Sequence, residues 1–299
     1  MPLIDWLLAL LTILIWGLNF LVSKVGISEL PPLFFGFCRF VFVFFPAIFF
    51  IPKPKTSWSR LLVYGLTINF FQFGFMLSAL GFGLAAGVTS LLLQVQVFFT
   101  ILISALYFHE KVPKHSIFAF VVAACGIALI ITMANTNTAL PIAGLICIIL
   151  AALSWATGNI TIKIMRDVNM VSLVVWGGLV SVPAFGLASF FLEGPELITQ
   201  SLQHLTWRGT LAFLYGSVMS TLVGYVIWGR LLSTRPVSLI APLTLLVPII
   251  GLVSNAWVFN EALTFWQWIG VAIVMLALVI NTLWPKFVQT LFAQKNAHP

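Results

Sequence analysis

Ten runs of mostly apolar residues constrain this chain more than any other feature of its sequence. A helix that crosses a bilayer needs about 20 such residues, because every backbone polar group must be satisfied inside the segment. Short stretches rich in Pro, Gly and Asn separate the runs. The sequence therefore predicts an all-α membrane protein with ten transmembrane helices. The predicted spans are 3–24, 32–51, 61–82, 86–108, 115–133, 140–163, 171–192, 208–232, 237–259 and 263–284.

The distribution of charge supports this class and predicts an orientation. Charged residues make up only 7% of the chain, whereas a soluble domain has about 25%. If the N-terminus is cytoplasmic, 11 of the 14 Lys and Arg residues lie on the cytoplasmic side, and only Lys24 and Arg208 lie outside. This positive-inside bias accounts for the net charge of +7 without a nucleic-acid partner. We expect a multi-pass inner-membrane protein, in contact with the lipid bilayer, with both termini in the cytoplasm.

The two halves of the chain resemble each other. IWGLNFLVSKV in the first run aligns with SWATGNITIKI in the sixth, which pairs Trp16 with Trp155 and Lys24 with Lys163. LYFHEKV after the fourth run aligns with WVFNEAL after the ninth, which pairs two glutamates. Chance similarity between apolar segments is the alternative, but polar and aromatic matches in the same order favour a repeat.

An odd number of spans in each half determines how the halves relate. Five spans bring the second half into the membrane in the opposite orientation, so the sequence predicts two inverted five-helix repeats. The predicted units are a first repeat over 3–133, a second repeat over 140–284 and a cytoplasmic tail over 285–299. Inverted repeats can exchange conformations between inward-open and outward-open states, with the substrate near the midplane at their interface.

Short motifs carry a family resemblance over nearly the whole chain. WGLNF at 16–20, WATGN at 155–159 and the stretch from Pro248 to Glu261 resemble elements of the EamA-type branch of the drug/metabolite transporter superfamily. LLLQVQVFFT, PPLFFGFCRF and APLTLLVPIIG are more narrowly similar to its O-acetylserine/cysteine exporter subgroup. The first repeat departs from the general pattern at Val97, where that superfamily has Pro, and at His109, where it has Gly. The missing proline is also a feature of the exporter subgroup.

The resemblance implies a function for the chain. It implies export of small metabolites by alternating access, with O-acetylserine and cysteine as the expected substrates. Export of other amino acids or metabolites, such as aromatic amino acids and purines, and a passive channel or facilitator are the alternatives. The sequence is compatible with a monomer and with a homodimer.

Polar side chains within the apolar runs are the candidate cavity residues. Hydrocarbon cannot satisfy their hydrogen bonds, so each must face a cavity or another helix, and bonds between helices are the alternative role. Arg39 is a charge within a span and could meet a substrate carboxylate; snorkelling or bonds to carbonyls are its alternatives. The two tryptophans could instead belong to an interfacial aromatic belt. The candidates are Trp16, Asn19, Arg39, Asn69, Gln72, Gln94, Gln96, Trp155, Asn159, Ser220, Thr221, Tyr225, Thr244 and Pro248.

Gln94 and Gln96 pose a geometric question, because residues two positions apart point to different faces of an α-helix. Gln94 follows Ser90 by one turn on a face that runs toward the outside, and Gln96 precedes Thr100 by one turn on a face that runs inward. Either the helix is distorted at Val95, or one amide faces the substrate while the other braces a neighbouring helix.

The acidic residues and histidines lie in loops or near span ends. The usual proton-relay groups of a coupled transporter are therefore missing from the spans, so coupling would use a peripheral acid or the substrate's own ionisable groups. HEKVPKH does not have the His-Glu-x-x-His spacing of a metal-dependent enzyme. The sequence predicts a protein that is not an enzyme and needs neither a metal nor a cofactor.

Overall fold

The structure, a computed structural model, describes residues 2–132, 141–165, 168–235, 237–260 and 263–296, and the regular elements of these residues are helices. The predicted turn at 135–138 and Glu261 lie outside the described residues. We number the apolar helices in chain order. They are α1 (Leu3–Ile27), α2 (Pro32–Ala47), α3 (Trp58–Gly81), α4 (Ala86–Phe108), α5 (Lys114–Thr132), α6 (Ile142–Met165), α7 (Met170–Leu192), α8 (Trp207–Leu232), α9 (Pro242–Phe259) and α10 (Phe265–Asn296).

Nine of these helices in the described part of the chain are long and apolar enough to cross a membrane. The exception is α2, which has 16 residues and ends at Ala47, short of the predicted span 32–51. Pro46 lies in its last turn, and Pro52 and Pro54 follow soon after. Because proline lacks an N–H and restricts the residue before it, the helix is not extended through this stretch. Ten full-length spans therefore remain a prediction.

Irregular backbone occurs at corresponding places in the two halves. Gly65–Gln72 within α3 and Tyr215–Val223 within α8 are both π-helical. His109 after α4 and Asn260 after α9 both have left-handed backbone, with φ of 54° and 51°. Left-handed residues end helices, and π-helical turns often occur at functional sites.

Helices of the first half pack against helices of the second. Contacts join α1 to α8 and α9, α2 to α7, α3 and α4 to α6, and α5 to α10. The α5–α10 pair is in close contact at Gly126 and Gly270, where a Cβ on either glycine would lie 2.9 or 2.8 Å from the carbonyl oxygen of the other. Small residues drive this kind of association in lipid, because they let two backbones come close.

Two glutamates tie together the face of the bundle that lies opposite the N-terminus. Glu193 accepts the backbone N–H groups of Leu33 at 2.6 Å and Phe34 at 2.9 Å, at the start of α2. Glu29 accepts the N–H of Thr206 at 2.8 Å and its hydroxyl at 2.7 Å, just before α8. A carboxylate is stabilised at a helix N-terminus by the free N–H groups there. Each glutamate therefore joins one half of the chain to the other.

Candidate functional site

Arg39 lies halfway along α2 and is 1% exposed. Its Nη1 donates to Oδ1 of Asn19 at 2.9 Å, and its Nη2 donates to Oγ1 of Thr221 at 3.0 Å and Oγ of Ser220 at 3.3 Å. Four predicted site residues from α1, α2 and α8 therefore meet in one cluster, which we call the Arg39 cluster. The guanidinium does not snorkel to a surface, which was one alternative for this residue.

The π-helical segment of α8 makes room for this guanidinium. Gly216 carries no side chain, and a Cβ there would lie 3.2 Å from Nη1 of Arg39. Thr221 donates its hydroxyl to the carbonyl of Gly216, five residues earlier, at 2.8 Å, so its oxygen is free to accept from Arg39. Phe73 of α3 covers the guanidinium at 4.2 Å from its ring centroid. Phe73 was not among the predicted site residues, because nothing in the sequence distinguishes it from the other phenylalanines.

The charge of Arg39 is not balanced by an ion pair with any described residue. Two of the described acids pair with other residues, Glu110 with Lys163 and Asp5 with Arg235. The partners of the guanidinium are neutral oxygens, and its Nε has no hydrogen-bond partner in this part of the protein. A buried cation without a counter-charge is costly in a membrane and marks a functional site by default.

Trp16 and Tyr225 lie beside the Arg39 cluster. The indole Nε1 of Trp16 donates to the carbonyl of Ser220 at 2.9 Å. The Trp16 ring lies 5.8 Å from the ring of Tyr225 and 5.2 Å from that of Trp228. Tyr225 packs against the same group of buried apolar residues as Trp155. An indole bonded to another helix in this way serves the protein interior rather than a lipid-facing aromatic belt.

A second polar cluster joins α4 to α6. Nδ2 of Asn159 donates to Oε1 of Gln96 at 3.1 Å and to Oγ1 of Thr100 at 3.3 Å. Thr100 donates in turn to the carbonyl of Gln96 at 2.7 Å. Two of the predicted residues are thus brought together across the halves, and Thr100 completes the cluster.

Beyond this second polar cluster, a row of polar residues continues along α4 and α6 to the end of the bundle. Nζ of Lys163 lies 2.7 Å from Oε1 and 3.0 Å from Oε2 of Glu110, and 2.9 Å from Oγ of Ser104. It also lies 4.4 Å from the ring centroid of Phe108. Hydrogen bonds from Lys163 and Ser104 lower the pKa of Glu110, although slight desolvation opposes them.

A cavity of about 310 Å³ opens where this row ends. It is lined by polar, charged and apolar residues of α4 and α6 and by the loop that follows α4. The lining residues are Thr100, Ile101, Ser104, Ala105, Glu110, Lys111, Val112, Pro113, Asn159, Ile160 and Lys163. We call this cavity the α4–α6 pocket.

The backbone at the two glutamines decides the question that the sequence raised. Leu93–Val95 is a short 3₁₀ segment, so α4 is distorted at the position where the polar face changes. Gln96 accepts a hydrogen bond from Asn159 of α6, while Gln94 is partly exposed. Ala241–Leu245 at the start of α9 is also 3₁₀. It contains the partly buried Thr244 and precedes the buried Pro248.

Asn69 bonds to α7 and not to a member of either polar cluster. Nδ2 of Asn69 donates to the carbonyl of Val174 in α7 at 3.1 Å. This is the bond between helices that the sequence allowed as its alternative role. Gln72 is 3% exposed in the π-helical part of α3. Among the described residues, no three His, Cys, Asp or Glu side chains lie close enough to hold a metal ion.

Comparison with known proteins identifies the family. Residues 4–132 and 142–283 match the EamA-like transporter family. A Salmonella typhimurium protein named "Probable amino-acid metabolite efflux pump" is 42% identical, over 93% of this chain and 94% of that protein. An Escherichia coli protein with the same name is 40% identical, over 95% of this chain and 98% of that protein.

A solved crystal structure shares the fold. It superimposes with a TM-score of 0.65 at 16% identity, covering 95% of this chain and 98% of that one. The EamA-type resemblance seen in the sequence is confirmed by the family match and by the two efflux-pump relatives. This protein is a multi-pass membrane protein that belongs to the EamA-like transporter family.

Proposed function

We propose that the protein exports small amino-acid metabolites across the inner membrane by alternating access, and that Arg39 binds the substrate carboxylate. The names of the two relatives support the substrate class. The observation that carries the proposal is the guanidinium of Arg39, which is buried between the halves without an ion pair to any described acid. An entering carboxylate supplies the missing counter-charge.

The surroundings of Arg39 suit such a ligand. Asn19, Ser220 and Thr221 hold the guanidinium through its two terminal nitrogens, and Trp16 and Tyr225 supply aromatic surface beside it. Hydroxyl and amide groups can exchange a bond with Arg39 for one with the substrate at little cost. Arg39 is closed off in this conformation, so substrate binding requires α8 to move relative to α2.

In an inverted-repeat architecture, this movement of α8 relative to α2 is part of the exchange between inward-open and outward-open states. The matching π-helical and 3₁₀ segments and the left-handed residues after α4 and α9 support two inverted repeats, over 3–133 and 140–284. In this proposal α2 is the tenth, short span. Both termini and the tail 285–299 are cytoplasmic, as the positive-inside bias predicts. The remaining candidates, Gln72, Gln94, Thr244 and Pro248, belong to the moving helices in this scheme.

The specific substrates that we propose come from the family resemblance of the sequence. The similarity to the exporter subgroup favours O-acetylserine and cysteine. Uptake into everted membrane vesicles tests this choice with a panel containing both compounds, aromatic amino acids and purines. Saturable uptake of the cysteine-pathway amino acids, with counterflow, supports the narrow assignment. If only other members of the panel are taken up, the protein is an exporter, but O-acetylserine and cysteine are not its substrates. A steady ion current across the membrane would indicate a channel instead.

The role of Arg39 is tested in the same vesicles. We expect Arg39→Gln to reduce uptake of the carboxylate-bearing substrate more than tenfold, because a hydrogen-bonded buried charge pair is worth more than 1.4 kcal/mol. Arg39→Lys should keep part of the rate. Arg60→Gln is the matched control, because Arg60 is exposed near the start of α3. Unchanged uptake and apparent affinity in Arg39→Gln, at equal amounts of protein, would remove Arg39 from the site.

A further inference from the structure

The geometry points to a second binding site, in the α4–α6 pocket, that takes the amino-acid zwitterion before it reaches Arg39. Lys163 would hold the carboxylate and Glu110 the ammonium group of the same molecule. This inference rests on the proposed function, because it assumes that the transported compound carries both charges. It adds residues that the Arg39 cluster does not contain.

Lys163 and Glu110 place two opposite charges at the mouth of the α4–α6 pocket. Lys163 and Glu110 offer one positive and one negative group 2.7 Å apart. An α-amino acid carries the opposite pair of charges on adjacent groups, so it matches both partners at once. Lys163 and Glu110 are 47% and 51% exposed at their side chains, so they are accessible without unfolding.

The Lys163–Glu110 ion pair can open at a small cost in free energy. A half-exposed ion pair contributes little to stability, because water screens it and long side chains lose entropy in forming it. Opening the Lys163–Glu110 pair to admit a zwitterion therefore costs little, and the two new charged contacts replace it. A buried pair of the same geometry would resist such an exchange.

The α4–α6 pocket is large enough for a small molecule and leads to further hydrogen-bonding residues. The α4–α6 pocket, at about 310 Å³, lies at the lower end of the roughly 300–1,000 Å³ range of small-molecule sites. Ser104 bridges the charged pair, with Oγ 2.6 Å from Oε2 of Glu110. Thr100 and Asn159 line the same pocket and lead to Gln96. A ligand held at Lys163 thus faces a continuous row of hydrogen-bonding groups that points into the bundle.

The test uses inhibitors that each lack one charge. Wild-type everted vesicles must first accumulate an amino acid such as L-cysteine, kept reduced. L-cysteinamide then lacks the carboxylate, and N-acetyl-L-cysteine lacks the ammonium group. If the wild type takes up no amino acid, the proposed function fails, and this outcome is distinct from a result in which only the pocket variants behave like the wild type.

Two variants separate the two contacts. We expect Lys163→Gln to weaken apparent affinity for L-cysteine and inhibition by N-acetyl-L-cysteine by about fivefold, the size of one partly exposed charge contact. Inhibition by the amide should not weaken. Glu110→Gln should weaken the apparent affinity for L-cysteine and inhibition by L-cysteinamide. Inhibition by N-acetyl-L-cysteine should not change. Lys55→Gln, which removes an exposed loop lysine outside the pocket, should change none of the three.

The results that overturn the inference are equally specific. Unchanged affinities in both pocket variants, at wild-type uptake, rule out the second site. Equal changes for all three compounds mean that the pair is only a latch between α6 and the loop after α4. Glu110 is a half-exposed loop residue, so Glu110→Gln remains informative even if Lys163→Gln fails to reach the membrane.

Discussion

Nη2 of Arg39 donates to Oγ1 of Thr221 at 3.0 Å and so links α2 of the first half to the π-helical segment of α8 in the second. A bond between a buried cation and a neutral hydroxyl holds the two helices together without cancelling the charge. It is therefore suited to break when a carboxylate arrives.

Removing the hydroxyl of Thr221 should loosen this link. Thr221→Val leaves an N–H of Arg39 without its partner, and an unsatisfied buried donor costs about 1–3 kcal/mol. We expect a lower thermal unfolding temperature of the purified protein and slower uptake. Thr132→Val is the matched control, because Thr132 is exposed and bonds the carbonyl of Ala128 in its own helix. Equal unfolding temperatures for the two variants would contradict this role.

The space at Gly216 should matter more than its helix propensity. A Cβ at Gly216 would lie 3.2 Å from Nη1 of Arg39, whereas a Cβ at Gly229 in the same helix meets nothing within 4 Å. Gly→Ala in a helix normally stabilises by about 0.5–1 kcal/mol. We expect Gly229→Ala to keep wild-type uptake and Gly216→Ala to lose several-fold in apparent affinity for carboxylate substrates. Equal affinities would show that Arg39 can shift freely.

Gln96 and Asn159 should be energetically coupled. Their bond of 3.1 Å crosses from α4 to α6, and such bonds in membrane proteins are worth about 0.6 kcal/mol, with values up to about 1.7. A double-mutant cycle with Gln96→Leu and Asn159→Leu, read by unfolding in detergent, should return a coupling of this size. Gln94→Leu in place of Gln96→Leu should return none. Coupling of Asn159 to Gln94 instead of Gln96 would mean that Gln94 is the side chain that faces α6.

The contact of Glu29 with Thr206 should make stability depend on pH. Partial burial raises the pKa of Glu29, but hydrogen bonds from Thr206 and Gly209 and the charge of Arg208 outweigh it, so the pKa lies below its usual 4.5. Because the folded pKa is lowered, the stabilisation is present above the ordinary pKa and is lost as pH falls through the lowered value.

Unfolding temperatures measured against pH check this expectation. Wild type should exceed Glu29→Gln by a constant margin from neutral pH to about pH 5, and the margin should shrink below 4.5. Gln200→Ala, which removes an exposed uncharged side chain on the helix Pro195–Gln203, is the control and should show the same pH dependence as the wild type. A margin that grows as the pH falls would have the wrong sign for this contact.

The sequence alone predicted a helical membrane protein of the EamA type, because apolar length is a local property and the motifs around Trp16 and Trp155 lie at matching positions. It also picked out Arg39, Asn19, Ser220 and Thr221, since polar groups are rare within apolar runs.

Only the tertiary structure decided which of these residues meet. In lipid, the faces of a helix toward the bilayer and toward its neighbours are both apolar, so periodicity does not reveal how each helix is rotated. For this reason the sequence did not place Asn69 against α7, Lys163 against Glu110 or Phe73 over Arg39. The π-helical turn that brings Thr221 to Arg39 likewise arises from packing and backbone geometry that the apolar runs do not encode.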